Sequence, residues 1–338
     1  MVRLDSIKVS APIDAILDYD NARFKEGFEM HDNELISKGI TAQSDAFGIN
    51  KFLIDNAKGQ LIFDVSAKAL KNDYALGIND NTFEHLIDSI NSTKLIKLDS
   101  SIIYNEGKLL RADVTDNVKF EEYSGTNFYT DITAIPLTPN KYDITSYSTL
   151  KNKGAVIKGK QKSFKERQIY YDKITELLSN KKGKAFLNSI NSEKIFKDFK
   201  DTIRVEGNFG QWRTMRKYFG TDNIISNSLQ SDAKVNYELF KKITKTANTD
   251  ILYLFDKYEG MNWKDIKERQ GIEGIIKSAD SNWQYIELLI KKYNTHNFRR
   301  ERLKFKQVYN ELQFDKVENK ETNKTIITMF LDALYKVA

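Results

Sequence analysis

Hydrophobic and polar residues alternate with a period of two in several short segments of the first 210 residues, which predicts β-strands. Longer segments at 79–93, 174–190 and 193–200 carry apolar residues at helical spacing and predict amphipathic helices. The two kinds of element alternate irregularly, which favours an α+β region built on an antiparallel sheet. The predicted strands are 2–10 (VRLDSIKVS), 60–70 (QLIFDVSAKAL), 108–120 (KLLRADVTDNVKF), 154–160 (GAVIKGK), 167–173 (RQIYYDK) and 201–209 (DTIRVEGNF).

From about residue 211 onward, apolar residues recur every three or four positions between short Gly, Asn and Asp turns. We therefore predict two regions, an α+β region over 1–210 and an all-helical region over 211–338 that serves DNA recognition or dimerisation. The segment 214–220 (TMRKYFG) and the helix pair within 262–292 are candidates for a helix-turn-helix-like unit. The predicted helices are 210–220, 232–245, 249–260, 262–279 and 281–294.

The chain contains no cysteine, which excludes disulfides, thiolate metal sites and cysteine nucleophiles. Its three histidines, His31, His85 and His296, are too far apart in sequence to form an HExxH or HxH ligand pair. A metal site in this chain would have to rest mainly on carboxylates. Carboxylate ligands favour Mg²⁺ or Mn²⁺ over Zn²⁺.

The charge balance of 53 Lys and Arg residues against 47 Asp and Glu residues gives a net charge of +6. This surplus is compatible with a polyanionic partner such as DNA but does not require one. The first residues, MVRLDSIKVS, lack the apolar core of a signal peptide, and no apolar run approaches the length of a membrane span. We therefore expect a cytoplasmic protein of a bacterial host cell without a membrane partner.

Two of the predicted strands carry an acidic residue beside an arginine on one face. Residues two apart on a strand share a face, so Arg111 lies beside Asp113, and Arg204 lies beside Glu206. Asp116 lies near the end of the first of these strands. Acids in apolar strands are costly to bury unless they are paired or bind a cation. A structural salt bridge explains either strand alone, and their occurrence in one region favours a functional site.

The segment 168–173 (QIYYDK) places two tyrosines side by side. A phenol with its ordinary pKa of about 10 is a poor nucleophile unless its charged form is favoured. On a strand, Tyr171 shares a face with Lys173, a cation, whereas Tyr170 shares its face with Asp172, an acid. If one of the two tyrosines is a nucleophile, these neighbours select Tyr171. Otherwise both are core rings.

Three segments, in this order, resemble motifs of the rolling-circle replication initiators of filamentous phages and staphylococcal-type plasmids. They are LLRADVTDN (109–117), the strand within VIKGKQKSFKERQIYYDKITEL (156–177) and TIRVEGNF (202–209). The resemblance spans roughly residues 50–215. It implies an antiparallel-sheet nickase domain related to the HUH fold, but without the His-hydrophobe-His motif that many such nickases use to bind their metal.

The resemblance implies that a tyrosine nicks origin DNA with the help of Mg²⁺ or Mn²⁺, forms a 5′-phosphotyrosine intermediate and later rejoins the strands. The implied site has a nucleophile with assisting groups, carboxylate ligands and arginines that orient those ligands or contact phosphate. The residues are Tyr171 with Lys173 and Tyr170, then Asp113, Glu206 and Asp116 as metal ligands with His85 in reserve, and Arg111 and Arg204.

A basic stretch at 298–307 (FRRERLKFKQ) lies in the predicted helical region and provides further candidate DNA contacts. Charge runs on helices are commonly solvated faces, and that interpretation stays open. The candidates are Arg299, Arg300, Arg302 and Lys304. The expected partners are origin DNA, a host helicase and a second copy of the chain.

Two other classes of protein remain open at this point. In a non-enzymatic DNA-binding module, the tyrosines would be core rings and the acids would serve salt bridges. In an Mg²⁺-dependent phosphoesterase that uses water, the acids would be needed but Tyr171 would not. A nickase requires Tyr171, Asp113 and Glu206 to lie close together, so the three-dimensional arrangement of these residues separates the classes.

Overall fold

The computed structural model of the chain describes residues 2–31, 34–119, 142–149, 152–160, 166–209, 212–244, 261–279, 281–318 and 326–337. The chain divides into two compact units. One comprises Met1–Asn248 with Ile326–Ala338, and the other comprises Thr249–Thr325. The first unit therefore extends beyond the predicted boundary at residue 210.

Within the described residues, the strands belong to the first unit, and three of the α-helices belong to the second. The strands are β1 (Leu4–Pro12), β2 (Ile16–Tyr19), β3 (Lys25–His31), β4 (Glu34–Gln43), β5 (Ile49–Asp55), β6 (Gln60–Ser66), β7 (Ile96–Leu98), β8 (Lys108–Lys119), β9 (Tyr142–Thr149), β10 (Asn152–Gly159), β11 (Glu166–Tyr171) and β12 (Thr202–Phe209). The helices are α1 (Phe83–Asn91), α2 (Ser100–Glu106), α3 (Lys173–Ser179), α4 (Lys181–Asn188), α5 (Ser192–Phe199), α6 (Trp212–Phe219), α7 (Ile225–Leu229), α8 (Val235–Thr244), α9 (Trp263–Ser278), α10 (Trp283–Tyr293), α11 (Phe298–Glu318) and α12 (Ile326–Val337).

Within the described residues, ten strands form one sheet in the order β3-β4-β5-β6-β1-β8-β12-β11-β10-β9, and β2 pairs separately with β7. Each strand of the large sheet is antiparallel to its neighbours. The predicted α+β class with an antiparallel sheet is therefore confirmed. The sheet places β8, β12 and β11 side by side, so the three segments that carry the candidate chemistry are adjacent.

The predicted elements differ from the observed ones mainly at their ends. The strand predicted over 60–70 ends at Ser66, where a 3₁₀ segment, Ala67–Leu76, begins. The helix predicted over 174–190 is divided into α3 and α4 at Asn180, whose side chain accepts a hydrogen bond of 2.6 Å from the Gly183 amide. A Cβ on Gly183 would lie 2.2 Å from the Leu177 carbonyl oxygen, so glycine allows the two helices to meet closely.

Strand β12 runs through the middle of the sheet and is buried on both faces. On one face, Tyr170 of the neighbouring β11 packs against Phe240 of α8 and Phe330 of α12, with ring centroids 5.9 and 6.1 Å apart. The opposite face is covered by Tyr74 and by Phe199 of α5, whose ring centroids lie 5.8 Å apart. Because α8 and α12 supply the apolar cover of the sheet, they belong to the first unit although they follow residue 210.

The second unit is described for α9, α10 and α11, while the helix predicted over 249–260 lies outside the described residues. The three helices enclose their own apolar core. The buried residues are Ile272, Ile276, Ala279, Ile286, Ile290, Phe305 and Val308. Nowhere in the described part of the chain does a helix combine the length and the apolarity that crossing a membrane requires.

Candidate active site

Strand register brings the predicted tyrosine and two of the predicted carboxylates to one face of the sheet. Tyr171 pairs across the strands with Arg204, which shares a face with Glu206 two residues later. Glu206 in turn pairs with Thr115, two residues from Asp113. Three adjacent strands therefore direct Tyr171, Glu206 and Asp113 to the same side.

The Tyr171 hydroxyl lies between a carboxylate and an ammonium group. It donates a hydrogen bond to Glu206 Oε1 and accepts one of 2.8 Å from Lys173 Nζ. Lys173 Nζ is also 3.8 Å from Glu206 Oε1 and 3.2 Å from Glu176 Oε2. We call Tyr171, Lys173 and Glu206 the tyrosine site. Its phenol has a proton acceptor on one side and a cation on the other.

The strand-to-helix turn after Tyr171 explains how Lys173 reaches the phenol. Strand β11 ends at Tyr171, two residues earlier than predicted, and Asp172 caps α3 by accepting a hydrogen bond of 2.5 Å from the Thr175 amide. Lys173 is thus the first helical residue and turns back towards the tyrosine. Glu176 lies in the first helical turn, where a negative charge is favourable, and pairs with Lys173.

Arg204 forms the second layer of the site. Its side chain is only 1% exposed and donates from Nε to Glu206 Oε1 at 2.9 Å. Its Nη2 donates to Asp5 Oδ1 at 2.5 Å, and its Nη1 donates to Asn117 Oδ1 at 3.3 Å. The Tyr74 hydroxyl donates to the same Asp5 oxygen at 3.4 Å. One guanidinium therefore links strands β1, β8 and β12 and orients the Glu206 carboxylate.

Burial governs the protonation of the tyrosine site. It raises the pKa of Tyr171 well above its ordinary value, and Glu206 raises it further, whereas Lys173 and Arg204 act in the opposite direction. Burial alone would lower the pKa of Lys173, but Tyr171, Tyr74 and Asp5 raise it well above its ordinary value. Lys173, the cation expected to favour the phenolate, is present, but burial and Glu206 outweigh its effect on the pKa of Tyr171. The resting phenol is neutral, and Glu206 is positioned to accept its proton.

Asp113 and Glu206 supply oxygens of the kind that Mg²⁺ and Mn²⁺ prefer, yet the donor set is incomplete. The Ser6 hydroxyl donates to Asp113 Oδ2, and burial raises the pKa of Asp113. Glu206 Oε1 already accepts two hydrogen bonds, and a lysine and an arginine lie beside it. Across the described residues, no three acidic or histidine side chains are placed to hold a metal ion. The residues therefore do not fit a metal centre, and the divalent ion remains a prediction.

Two of the predicted site residues lie on the opposite face of the sheet. Asp116 pairs in register with Val205 and accepts a hydrogen bond of 2.9 Å from Asn236 Nδ2 of α8. Tyr170 is fully buried in the core between α8 and α12, and its hydroxyl donates to Gln168. The structure does not bring either residue to the tyrosine site, because strand neighbours at odd spacing point to opposite faces.

Asparagine at position 116 is expected to stabilise the protein at neutral pH but not in acid. Burial raises the pKa of Asp116 from 3.8 to about 6, so the folded state holds this proton more tightly than the unfolded chain does. The stability that Asp116 contributes is therefore fully present below its unfolded pKa and is lost as the pH rises through its folded pKa. The loss amounts to about 3 kcal/mol at most. Asn keeps an oxygen that can accept from Asn236 and carries no charge.

Urea unfolding of the wild type and of Asp116→Asn, at pH values from below 3.8 to above about 6, checks the prediction. The difference in the free energy of unfolding should grow from near zero in acid to its full value at neutral pH. A difference that does not change with pH would show that Asp116 does not titrate as described.

The remaining candidates pair with other residues or are exposed. Arg111 Nη2 pairs at 3.2 Å with Asp64 of β6, and this pair is partly exposed. His85 is on the exposed side of α1, with Nδ1 3.6 Å from Asp73. In the second unit, Arg302 pairs with Glu287 and Lys304 pairs with Glu268, whereas Arg299 and Arg300 are exposed on α11.

Asp5 and Tyr74 belong to the site but were not among the predicted residues. Burial opposes the charge on Asp5, yet Arg204 and Lys173 hold its pKa below the ordinary value. Burial raises the pKa of Tyr74 to about 12. An acid at an inner position of an apolar strand was a usable signal for Asp5. Tyr74 lies in a 3₁₀ segment, where no period in the sequence marks it.

No protein-family model and no curated protein matches the chain. Among solved structures, it is similar to one described as the rolling circle replication initiator protein from Geobacillus stearothermophilus. The two are 10% identical, the alignment covers 73% of this chain and 84% of that chain, and the TM-score is 0.36. At this TM-score the similarity carries no functional inference.

Proposed function

We propose that the chain cleaves and rejoins DNA strands through Tyr171 and initiates rolling-circle replication. The observation that carries the proposal is the position of the Tyr171 hydroxyl, which donates to Glu206 and accepts from Lys173. A nucleophile whose proton is held by a base, with the base oriented by a third group, is the arrangement that covalent catalysis needs. Arg204 is that third group, through its hydrogen bond to Glu206.

Cleavage would proceed by transfer of one phosphoryl group. The Tyr171 oxygen attacks the phosphorus of a phosphodiester while its proton passes to Glu206, and an O–P bond forms. The bond between phosphorus and the 3′ oxygen breaks, so one DNA end leaves as a 3′-hydroxyl after taking up a proton. The other end stays attached as a 5′-phosphotyrosine. Attack of a 3′-hydroxyl on that linkage reverses the step and rejoins a strand.

Lys173 and Glu206 have complementary tasks in this proposal. Without help, a phenol with a pKa of about 10 is ionised in only about one molecule in a thousand at neutral pH, and burial makes the fraction at Tyr171 smaller. Removal of the proton by Glu206 therefore has to accompany attack. Lys173 offsets the negative charge that then develops on the oxygen.

The DNA substrate and the further partners belong to the same proposal. The ordered resemblance of three segments to rolling-circle initiators supports origin DNA as the substrate. A host helicase, a second copy of the chain and Mg²⁺ or Mn²⁺ are proposed on that resemblance alone.

A DNA-binding module without catalysis is the competing function, and one observation favours it. Tyr171 is only 5% exposed, and its hydroxyl is fully engaged with buried neighbours. A buried ion-pair network would look the same if it served only to position β8, β11 and β12. The two functions differ in whether DNA ever becomes linked to the protein.

Purified protein incubated with Mn²⁺ and single-stranded circular DNA from the element that encodes it tests the proposal. A denaturing gel would reveal covalent protein–DNA adducts, and nuclease and trypsin digestion would reduce each adduct to a nucleotide-bearing peptide. We expect the nucleotide on the peptide 168–173, with fragment ions that place it on Tyr171. Cleavage without an adduct would favour the water-using phosphoesterase. Binding without cleavage of DNA that contains the origin would favour the binding module.

A further inference from the structure

The turn between α10 and α11 in the second unit concentrates exposed positive charge. Lys291 and Lys292 occupy the last turn of α10, and Arg299 and Arg300 occupy the first turn of α11. All four are exposed, and Tyr293 between them is 74% exposed. We call these five residues the basic turn. The sequence from 288 to 300 contains no acidic residue, so the turn forms a local block of charge.

The basic turn differs from the rest of the basic stretch in its ion pairing. Arg302 pairs with Glu287, and Lys304 pairs with Glu268, so these two residues connect the three helices to one another. Within the described part of the second unit, Lys291 and Arg299 have no carboxylate within ion-pair distance. Among the described residues, the one carboxylate within ion-pair distance of Arg300 is that of its neighbour Glu301, at 3.8 Å, and the Arg300 side chain is 71% exposed. In the basic stretch, Arg302 and Lys304 therefore stabilise the fold, whereas Arg299 and Arg300 remain exposed to a ligand.

The position of Arg299 and Arg300 on α11 is unfavourable for the helix itself. The first turn of a helix carries the positive end of the helix dipole, where cations are destabilising. A sequence that places two arginines there, beside two lysines, breaks a local rule of helix design, and among the described residues the weak 3.8 Å pair of Arg300 with Glu301 is the one ion pair that offsets it. Such violations are expected at functional surfaces.

We infer that the basic turn binds single-stranded DNA, with Lys291, Arg299 and their neighbours on phosphates and the Tyr293 ring stacked on a base. Exposed aromatic rings among lysines and arginines are the arrangement with which proteins hold single strands. Lys292 Nζ lies 5.2 Å from the centre of the Tyr293 ring, so charge and stacking surface adjoin. The inference rests on the proposed function and deepens it, because a protein that cleaves DNA strands has to hold its substrate.

The test measures fluorescence anisotropy of a labelled dT oligonucleotide of about 16 nucleotides with the full-length protein over a range of salt concentrations. Lys291→Ala with Arg299→Ala should weaken binding at least about tenfold and lower the slope of log K against log salt by about 1.4. Tyr293→Ala should weaken it at least about fivefold. The matched controls are Lys264→Ala with Lys277→Ala, two exposed lysines of α9, and Tyr285→Ala on α10, and they should bind as the wild type does.

Equal loss in the α9 control pair, or wild-type binding by Tyr293→Ala, would overturn the inference. So would stronger competition by anionic phosphatidylserine vesicles or by duplex DNA than by unlabelled single strands, because the turn would then serve a different partner. The result is separable from the proposed cleavage. Loss of binding without any adduct at Tyr171 would support the basic turn and contradict the cleavage. Adduct formation with undiminished binding by the variants would do the reverse.

Discussion

Phenylalanine at position 171 is expected to abolish the covalent protein–DNA adduct, lowering the rate of strand cleavage by at least about 10⁴-fold. The substitution removes only the hydroxyl that would attack phosphorus. Lys173 Nζ and Glu206 Oε1 are 3.8 Å apart in the wild type, and without the hydroxyl they can pair directly. The buried charges therefore stay compensated in the variant. Adduct on a denaturing gel measures the first effect. Urea unfolding should show a loss of only about 1 kcal/mol in the free energy of unfolding.

Tyr170→Phe is the matched control, because the two phenols are adjacent in sequence and face opposite sides of the sheet. Its hydroxyl donates to Gln168 within the core, so its removal should also cost about 1 kcal/mol of stability. Cleavage should remain within a few-fold of the wild-type rate. Adduct formation that survives in Tyr171→Phe and disappears in Tyr170→Phe would reverse the assignment. Survival in both variants would show that neither tyrosine alone is required for the linkage, which would contradict the assignment of Tyr171.

The part of the site that could be predicted from sequence is the part that local geometry determines. The two-residue period of a strand places Arg204 beside Glu206, and this contact depends only on the local conformation of one strand. The same rule separates Asp116 from Asp113, since the two are three positions apart and an odd spacing places side chains on opposite faces. Asp116 was grouped with the metal ligands through the resemblance to initiators. Strand period alone would have excluded it.

The part that could not be predicted depends on contacts between distant segments. Asp5 and Arg204 are 199 residues apart, and they meet because a single strand, β8, separates β1 from β12 in the sheet. No pattern in either segment encodes that strand order. The direction of the pKa shift of Tyr171 also could not be predicted from sequence, because it depends on how completely the site is buried. The nearby lysine was visible in the sequence, and the cover over the phenol was not.

The predicted boundary at residue 210 shows a similar limit. Helical periodicity identifies an apolar face, but it does not identify the surface against which that face packs. The face of α8 packs on the sheet through Phe240, whereas the faces of α9 and α10 pack on each other through Ile276 and Ile286. All three helices have the same helical spacing of apolar residues in the sequence. The unit to which each belongs is therefore a property of the fold.

Methionine at position 204 is expected to lower the free energy of unfolding by about 3–5 kcal/mol, the largest loss of stability that we expect from a single change in the site. Met fills much of the same volume but removes the charge between Asp5 and Glu206. Those carboxylates then lie close together in a largely buried site without their shared partner, which is costly for ionised groups. The midpoint of urea unfolding at neutral pH measures the loss.

Arg111→Met is the matched control, since Arg111 also pairs with a carboxylate across the sheet, but its side chain is 41% exposed. Exposed pairs contribute little, so this change should cost less than about 1 kcal/mol. Arg204→Lys should fall between the two, because one ammonium group keeps the charge but cannot replace the three nitrogens that reach Asp5, Glu206 and Asn117. Equal losses in Arg204→Met and Arg111→Met would mean that the central arginine contributes no more than a surface pair. A full-sized loss in Arg204→Met with no loss in Arg204→Lys would show that charge matters there and fork geometry does not.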